Sequence, residues 1–340
     1  MTPAPLPLQL EFYRALRRIR ILDERMQALQ RQGRIGFYGT CTGQEAVPVA
    51  LGYALQASDW VFPALRESSI LLVRGFPLET YLAQVFGNDK DVLKGRQMPS
   101  HMSGRAANVV SWSSCIGTQL THAVGAAWAA KLRSESMVSA ACLGDGATSS
   151  ADFHSALNFA QVFRVPCVFV CQNNQWAIST PAARQSNTST FAERALAYAM
   201  PAERLDGNDV CGLYSAFGRA VERARNGLGP TFLECVTYRV GPHSTSDDPT
   251  LYRTEAEVAE WRLRDPIARL KRQLEAQGAL GEDRARAIDA ELSAELERAL
   301  ERVESQPPPP RASLFDDVYA ELPAHLLEQR KGLFALRKPH

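Results

Sequence analysis

A chain of 340 residues with 45% hydrophobic and 22% charged residues has the composition of a globular protein rather than of a disordered one. The formal net charge is +1 and the two signs are interspersed, so the composition does not indicate a nucleic-acid partner. No apolar run approaches the roughly 20 residues of a membrane span, and the first residues lack the apolar core of a signal peptide. We therefore expect a cytoplasmic protein with no membrane segment.

The seven cysteines stand singly along the chain, at positions 41, 115, 142, 167, 171, 211 and 235. No two of them form a CxxC pair, and several lie inside apolar runs. This usage predicts small core residues in a reducing compartment.

In chain order, the first predicted element is an amphipathic helix over residues 9–33. Apolar side chains recur there at helical spacing, at Phe12, Leu16, Ile19, Met26 and Leu29. The pattern predicts that one face of this helix packs against the rest of the protein. We assign residues 1–35 to an N-terminal segment that contains this helix.

Short apolar runs then alternate with helical patterns, and we assign residues 36–253 to one α/β domain. The runs at 137–143, 166–172 and 230–240 are predicted strands. Such alternation is typical of a doubly wound, mostly parallel sheet with helices on both faces. Residues 254–340 form a predicted helical C-terminal extension, in which charged runs indicate solvated helix faces.

The stretch "LGDGATSSADFH" at 143–154 contains the first candidate site residue, Asp145. The strand before it, a predicted helix at 149–163 and the strand at 167–171 make one βαβ unit, whose strands are parallel. Asn174 follows the second strand, 29 residues after Asp145. Both side chains are therefore expected at the carboxyl ends of the strands, where open α/β sheets bind ligands.

The local sequence around Asp145 favours a phosphorylated ligand bound through a metal ion. Ser149 and Asp152 fit a capping box, and the helix that they begin would direct free N–H groups at the same place. A carboxylate, an amide oxygen and a backbone carbonyl suit Mg²⁺ or Ca²⁺ that completes its shell with phosphate oxygens. The sequence thus predicts a site for a metal-bound diphosphate.

Three other interpretations apply to the stretch around Asp145. Asp145 taken alone is more simply explained as a turn residue or helix cap, and only the matching "QNNQ" at the next strand end favours a site. A dinucleotide-binding G-x-G-x-x-G turn fails at Ser149. The phosphate-binding GxxxxGK[ST] motif does not occur in the chain.

Gly-Asp-Gly at 144–146 followed by Asn-Asn at 173–174 resembles the thiamine diphosphate motif. The stretches "GQEAVPVALGYAL", "KGRQMPSHMS" and "TYRVGPHSTSDDPTLYR" resemble, in order, the α subunit of the thiamine-dependent 2-oxo acid dehydrogenases. The similarity extends over about residues 10–330. The double acid of "HSTSDD" and the serines of "SSCIG" are closest to the branched-chain members.

Carried over position by position, the resemblance implies three groups of site residues. It implies that Asp145, the Asn174 side chain and the Trp176 carbonyl bind Mg²⁺. It implies that the diphosphate wall is formed by Arg66, Ser114, Gly146, Ala147, Gln172 and His243. It also matches a potassium site to Ser113, the Cys115 carbonyl, Thr118 and Gln119.

The chain departs from the family at Gln172 and at three residues outside these groups, Leu65, Ser150 and Ala151. Leu65 stands where branched-chain relatives commonly have a tyrosine that bonds a phosphate, and Gln172 stands where some have an arginine. Each such loss removes a contact worth about 1–3 kcal/mol when a charged group is involved. Ser150 and Ala151 replace a common Glu-Gly pair, which leaves the helix packing there open.

Histidines and one serine complete the candidates. The resemblance implies that His243 is catalytic, contacts phosphate and donates a proton as the acyl group moves to lipoyl sulfur. His101 is expected on a loop that reaches the active site, whereas His122 and His154 are interpreted as core histidines of helices. Ser244 matches a serine that is phosphorylated in animal relatives, and we interpret it as a loop residue that orders a turn.

The resemblance implies the α subunit of a branched-chain 2-oxo acid dehydrogenase. It would use thiamine diphosphate to decarboxylate a small 2-oxo acid and transfer the acyl group to a lipoyl-bearing acyltransferase. The glutamate that this chemistry needs comes from a β subunit in the family, so an α₂β₂ tetramer is implied. The alternatives are a pyruvate or acetoin dehydrogenase α subunit, a nucleotide-binding α/β protein without thiamine chemistry, and a non-catalytic assembly subunit.

Overall fold

The computed structural model describes residues 4–335. Its helices are α1 Leu6–Arg31, α2 Ala46–Ala54, α3 Ile70–Val73, α4 Leu78–Phe86, α5 Thr118–Leu132, α6 Ala151–Val162, α7 Glu193–Leu196, α8 Val210–Arg225, α9 Glu255–Arg262, α10 Pro266–Ala276, α11 Glu282–Glu304 and α12 Ala324–Ala335. Its strands are β1 Trp60–Phe62, β2 Ser139–Gly144, β3 Cys167–Asn173, β4 Trp176–Ala177, β5 Thr180–Pro181, β6 Ala202–Asp206 and β7 Thr231–Val236.

The central sheet has five strands in the order β1-β2-β3-β7-β6, and each neighbouring pair is parallel. Successive side chains of a strand point to opposite faces of the sheet. In β2, Ala140 and Cys142 pack with α1, α2 and α8, whereas Ala141 and Leu143 pack with α5 and α6. Apolar residues on both faces explain why β2 and β3 read as continuous apolar runs, and the predicted doubly wound α/β fold is confirmed.

The N-terminal helix α1 packs against α2, α10 and α11, as the apolar face of its sequence predicts. The charged residues of α11 are largely exposed, as the prediction of solvated helix faces requires, and many of them also form ion pairs. Its acids face arginines of α1 and form ion pairs at Arg14–Glu291, Arg17–Asp289, Arg18–Glu295 and Arg25–Glu297. Arg34, which follows α1, pairs with Glu304. Charge on α11 therefore borders a helix–helix contact. The assigned domain boundaries stay a prediction.

The helix after Asp145 begins later than the capping box predicted. Residues Asp145–Ser149 form a 3₁₀ turn, and α6 starts at Ala151 with Ser150 as its N-cap. Ser150 Oγ accepts a hydrogen bond from the Phe153 N–H at 3.2 Å. Ser149 is thus not the cap, because the tighter turn displaces the helix start by one residue. Ser150 also packs on Gly117, where an added Cβ would lie 2.3 Å from its Oγ.

The last predicted strand is shorter in the structure than in the sequence prediction. Strand β7 ends at Val236 rather than near 240, and Thr237 turns its hydroxyl to the Gly43 carbonyl oxygen.

Five of the seven cysteines are buried and all seven are free thiols, as predicted for core residues. Among residues 4–335, no helix has the length and apolar content that crossing a membrane requires.

Candidate active site

Two polar side chains follow neighbouring strands of the sheet. Asp145 comes directly after β2 and Asn174 directly after β3. The register pairs Gly144 with Gln172, so the two strands end at the same edge. The predicted juxtaposition of Asp145 and Asn174 at the carboxyl ends is therefore present.

A cavity of about 620 Å³ opens at this edge. Its polar wall is formed by Arg66, Glu67, His101, Ser113, Ser114, Gln119, Asp145, Gln172, Asn174, Arg239 and His243. Its apolar wall includes Phe37, Leu65, Met98, Trp112, Ile116 and Ile178. All the site residues predicted from the sequence line this cavity except Cys115 and Thr118. The volume and the mixed lining suit a small-molecule ligand with one polar and one apolar part.

Asp145 is 1% exposed and supplies the formal charge of the predicted metal site. Its Oδ2 accepts a hydrogen bond of 2.6 Å from Gln185 Nε2. Burial raises the pKa of the Asp145 carboxyl above its ordinary value, while the Gln185 bond, backbone N–H groups and the charge of Arg239 oppose that rise. A divalent cation beside this carboxylate would remove the cost of burying its charge.

Asn174 and Trp176 present the other two oxygens of the predicted metal site. Asn174 Nδ2 donates to Gln44 Oε1 at 2.9 Å, which leaves Oδ1 to accept from the Trp176 N–H at 3.2 Å. The Trp176 carbonyl accepts from Arg239 Nη1 at 3.1 Å. Each oxygen has a second lone pair, so both remain able to bind a cation. Within the described residues, no three His, Cys, Asp or Glu side chains form a metal cluster, so phosphate oxygens would have to complete the shell.

Two buried guanidinium groups form the most unusual feature of the cavity. Arg66 is 6% exposed and Arg239 is 1% exposed. Within residues 4–335, their hydrogen bonds go to carbonyl, imidazole and hydroxyl groups rather than to carboxylates. Burial, together with the like charge of Arg239, lowers the pKa of Arg66 to about 10. Two buried cations on one wall fit a polyanionic ligand, because an anion would compensate both charges.

His243 lies beside Arg66, where the family resemblance implies a catalytic residue. Arg66 Nη2 donates to the His243 carbonyl oxygen at 2.6 Å and lies 3.4 Å from His243 Nδ1. The His243 N–H donates to Asp247 Oδ2 at 2.7 Å. Burial, with the charges of Arg66 and Arg239, lowers the pKa of His243 to about 4. The two cations disfavour the charged form of this histidine in the free protein, and its predicted role as a proton donor stays a prediction.

Gln172 and Leu65, which differ from the residues common in the family, both contact neighbouring residues of the cavity region. Gln172 is buried, and its Nε2 donates to Glu67 Oε1. Leu65 occupies the space above Gly39, where an added Cβ would lie 2.6 Å from Leu65 Cδ1. Gln172 therefore engages a neighbouring carboxylate in the free protein, and its predicted contact with the diphosphate stays a prediction.

The residues matched to a potassium site lie in the turn before α5 and in its first two residues. Ser113 Oγ accepts from the Cys115 N–H at 3.2 Å, and Thr118 Oγ1 donates to the Cys115 carbonyl at 3.0 Å. Gln119 Nε2 donates to the Cys142 carbonyl of β2 at 2.9 Å. The turn is thus tied to the sheet at one point, and its potassium role stays a prediction.

The other histidines are placed as follows. His101 lines the cavity, as expected from its loop. The interpretation of His122 and His154 as core residues is wrong, since both are exposed on their helices and His154 Nδ1 lies 2.6 Å from the Tyr198 hydroxyl. They face solvent because α5 and α6 bury their opposite faces on the sheet.

Sequence reasoning missed three residues of the site. Arg239 lines the cavity, Gln44 orients Asn174, and Gln185 bonds Asp145. Arg239 lies within the quoted "TYRVGPHSTSDDPTLYR" stretch, at the end of the predicted strand 230–240, so its place at a strand end was a signal in the sequence. Gln44 and Gln185 lie far from their partners in sequence, and no local pattern indicates those contacts.

The fold and the cavity define the chain as an α/β protein that binds its ligand at the carboxyl ends of parallel strands. The family model described as "Dehydrogenase E1 component" matches residues 13–312. The chain belongs to this family, which confirms the resemblance seen in the sequence.

Several curated proteins are similar to this chain over most of its length. The chain is 43% identical over 327 residues to the 2-oxoisovalerate dehydrogenase subunit alpha of Pseudomonas aeruginosa, covering 94% of this chain and 80% of that protein. It is 42% identical over 316 residues to the 3-methyl-2-oxobutanoate dehydrogenase subunit alpha of Mycobacterium tuberculosis, with 93% and 84% covered. The human mitochondrial 2-oxoisovalerate dehydrogenase subunit alpha is 40% identical over 325 residues, with 95% and 73% covered.

Proposed function

We propose that this chain is the α subunit of a branched-chain 2-oxo acid dehydrogenase that binds thiamine diphosphate and Mg²⁺ in the cavity at the carboxyl edge. The observation that carries the proposal is the pair of buried guanidiniums, Arg66 and Arg239, on the same cavity as Asp145 and Asn174. The names of the bacterial and human relatives support the substrate class.

The residues present fit a metal-bound diphosphate. Asp145, Asn174 Oδ1 and the Trp176 carbonyl would supply hard oxygen ligands to Mg²⁺. Arg66 and Arg239 would neutralise phosphate charge, and Gly146 leaves room for close approach of the backbone. When bound, the cofactor supplies the electron sink that decarboxylation of a 2-oxo acid requires.

The apolar wall supports a branched, apolar substrate side chain. Phe37, Leu65, Met98 and Ile116 present carbon surface to the cavity. Burying apolar substrate surface there would contribute about 25 cal/mol per Å². A substrate with a smaller side chain, such as pyruvate, would gain less.

We also propose the partners that the family implies. A β subunit would complete an α₂β₂ tetramer and contribute the glutamate that activates the cofactor, and a lipoyl-bearing acyltransferase would accept the acyl group. Potassium at the turn 113–119 belongs to the same proposal. The free thiols support a reducing, cytoplasmic location.

The test is turnover by the chain assembled with its β subunit in the presence of Mg²⁺ and thiamine diphosphate. We expect kcat/KM for 3-methyl-2-oxobutanoate to exceed that for pyruvate, read with an artificial electron acceptor. Preference for pyruvate would contradict the substrate class. Equal activity without added thiamine diphosphate, after its removal by dialysis, would contradict the cofactor.

A further inference from the structure

Ser114 and His101 form a hydrogen-bonded pair on the cavity wall. Ser114 Oγ lies 2.7 Å from His101 Nε2, and both residues line the cavity. His101 is 7% exposed, whereas Ser114 is exposed. Within residues 4–335, His101 is the one protein group that hydrogen-bonds Ser114. The imidazole therefore decides which way the serine hydroxyl points.

The tautomer of His101 follows from its other nitrogen. His101 Nδ1 lies 3.0 Å from the Pro99 carbonyl oxygen, which can only accept a hydrogen bond. Nδ1 must therefore carry the proton, and in the neutral ring Nε2 has none. Ser114 consequently donates its hydroxyl proton to His101.

Packing holds the pair in this geometry. The His101 ring lies against Trp112, with ring centroids 3.9 Å apart. The His101 N–H donates to the Met98 carbonyl at 3.1 Å, and the Trp112 N–H donates to the Met102 carbonyl at 3.4 Å. The first bond closes a turn within the His101 loop, and the second joins that loop to the Trp112 loop, so both the backbone and the Trp112 ring support the position of the imidazole.

This polarity conflicts with the ligand chemistry of the cavity. With its proton on the His101 side, Ser114 offers only lone pairs to a ligand. Phosphate and carboxylate oxygens are acceptors too, so they would meet Ser114 acceptor to acceptor. A proton on His101 Nε2 would resolve the conflict without moving either residue. The ring would then donate a hydrogen bond to Ser114 Oγ, and the Ser114 hydroxyl would donate to the ligand oxygen.

We propose that an oxyanion bound at Ser114 draws one proton from solvent onto His101 Nε2, which reverses the direction of the His101–Ser114 hydrogen bond. His101 is thus a positioning residue that acts through Ser114. The oxyanion belongs to the cofactor diphosphate or to the substrate carboxylate. The inference rests on the proposed placement of the cofactor in this cavity.

The other charged and titratable groups of the cavity explain why proton uptake follows the anion. Arg66, Arg239 and His243 line the same cavity, as do Asp145 and Glu67. The two guanidiniums give this cavity a positive charge that an oxyanion would offset. An oxyanion reverses that field, so ligand and proton bind together.

The test counts protons by calorimetry on the assembled α₂β₂ protein. Mg²⁺ and thiamine diphosphate are titrated into the parent protein and into His101→Gln, each in two buffers of different ionisation enthalpy. His101→Gln can still accept the Ser114 proton, but its amide does not titrate. We expect His101→Gln to take up about one proton fewer per site. Its affinity should also lose a pH dependence of about tenfold per pH unit.

Controls separate this effect from damage to the fold or to the site. Ser114→Ala should lose the same proton, since no hydroxyl remains to relay it. His122→Gln, on the exposed side of α5, should leave the count unchanged. A second titration adds 2-oxo acid to protein loaded with an unreactive thiazolone analogue of the cofactor. A His101-dependent proton in the first titration assigns the diphosphate, and one that appears only in the second assigns the carboxylate.

An unchanged proton count in His101→Gln in both titrations, with a folded protein by circular dichroism, would overturn the inference while leaving the cofactor site intact. Absence of cofactor binding by the parent protein would instead contradict the proposed function and this inference together.

Discussion

His243 shows how the charge state of one residue depends on what occupies the cavity. In the free protein its pKa is lowered to about 4 by burial and by the charges of Arg66 and Arg239. A diphosphate between these cations would neutralise them, and the pKa of His243 would rise toward its ordinary value. Proton donation by His243 is therefore expected only in the loaded enzyme.

For His243→Ala, we expect the rates of decarboxylation and of lipoyl acylation to show which role of the histidine dominates. If proton donation dominates, decarboxylation read with an artificial acceptor is largely kept, while lipoyl acylation falls about 10²- to 10⁴-fold. If phosphate contact dominates, both rates fall together and excess thiamine diphosphate restores them. Undiminished rates in both assays would remove His243 from the site.

At the residue scale, most of the residues that line the cavity could be predicted from the sequence, but their pKa values and hydrogen-bond partners could not. Asp145 and Asn174 were predictable because strand ends and βαβ handedness place them at one edge. The pKa of His243 and the partner of Gln172 were not, since they depend on contacts more than 100 residues apart in sequence, such as Gln172 with Glu67. Those contacts exist only after the chain has folded.

The loop of residues 38–45 between α1 and α2 links the first helix to the cavity. Asp23 of α1 accepts hydrogen bonds from the Tyr38 hydroxyl, the Cys41 N–H and the Thr42 hydroxyl. The same loop orients Asn174 through Gln44. The buried Asp23 side chain thus holds the loop that orients Asn174, a residue of the proposed metal site.

Asp23 should make stability depend on pH in a defined direction. Burial, reinforced by Glu45, raises the pKa of Asp23 to about 7 in the folded protein. The folded state therefore binds this proton more tightly, so its contribution to stability is complete below the ordinary pKa near 4 and is lost as pH rises through about 7. Between those values, Tm of the wild type should fall with pH more than Tm of Asp23→Asn.

Asp23→Ala is the matched variant, because it leaves the buried Cys41 N–H without its acceptor and should cost about 1–3 kcal/mol. Thermal melts across this pH range test both variants. Parallel Tm curves for wild type and Asp23→Asn would show that Asp23 does not titrate in this window.

Helix α11 allows packing and charge to be compared at adjacent positions. Leu296 is 4% exposed in the core that α1 and α11 share, whereas Glu295 pairs with Arg18 at 2.7 Å at the border of the contact. Leu296→Ala should lower the free energy of unfolding by about 2–5 kcal/mol. Glu295→Ala should cost about 0–1 kcal/mol, since exposed ion pairs contribute little.

Chemical denaturation of the two variants measures the difference directly. Equal losses would mean that the ion pairs, not the apolar face, hold α11 to α1. The apolar periodicity of α1 was readable in the sequence, but the identity of its partner was not, because α1 and α11 are joined only by the tertiary fold.

At the scale of the whole molecule, the exposed side of α5 is a candidate for the contact with another subunit. Gly125 is exposed, and a Cβ added there would meet no heavy atom of the described chain within 4 Å. Small residues on this face would allow close packing of another subunit. A bulky side chain at Gly125 should therefore disturb assembly without disturbing the chain itself.

We expect Gly125→Leu not to lower Tm of the chain, since leucine is a better helix former than glycine, and to prevent formation of the α₂β₂ mass in sedimentation velocity. Gly332→Leu is the control, because Gly332 is also helical, exposed and free of contacts within 4 Å. A full-mass tetramer for Gly125→Leu would place the subunit boundary elsewhere.

The central claim for the molecule is that Asp145 anchors a metal-bound diphosphate in the cavity at the carboxyl edge. Calorimetry of thiamine diphosphate binding to the assembled protein, with and without Mg²⁺, tests it most directly. We predict Mg²⁺-dependent binding by the wild type and by the exposed control Asp89→Ala, and its loss in Asp145→Ala and the isosteric Asp145→Asn. Unchanged, Mg²⁺-dependent affinity in either folded Asp145 variant would contradict the account.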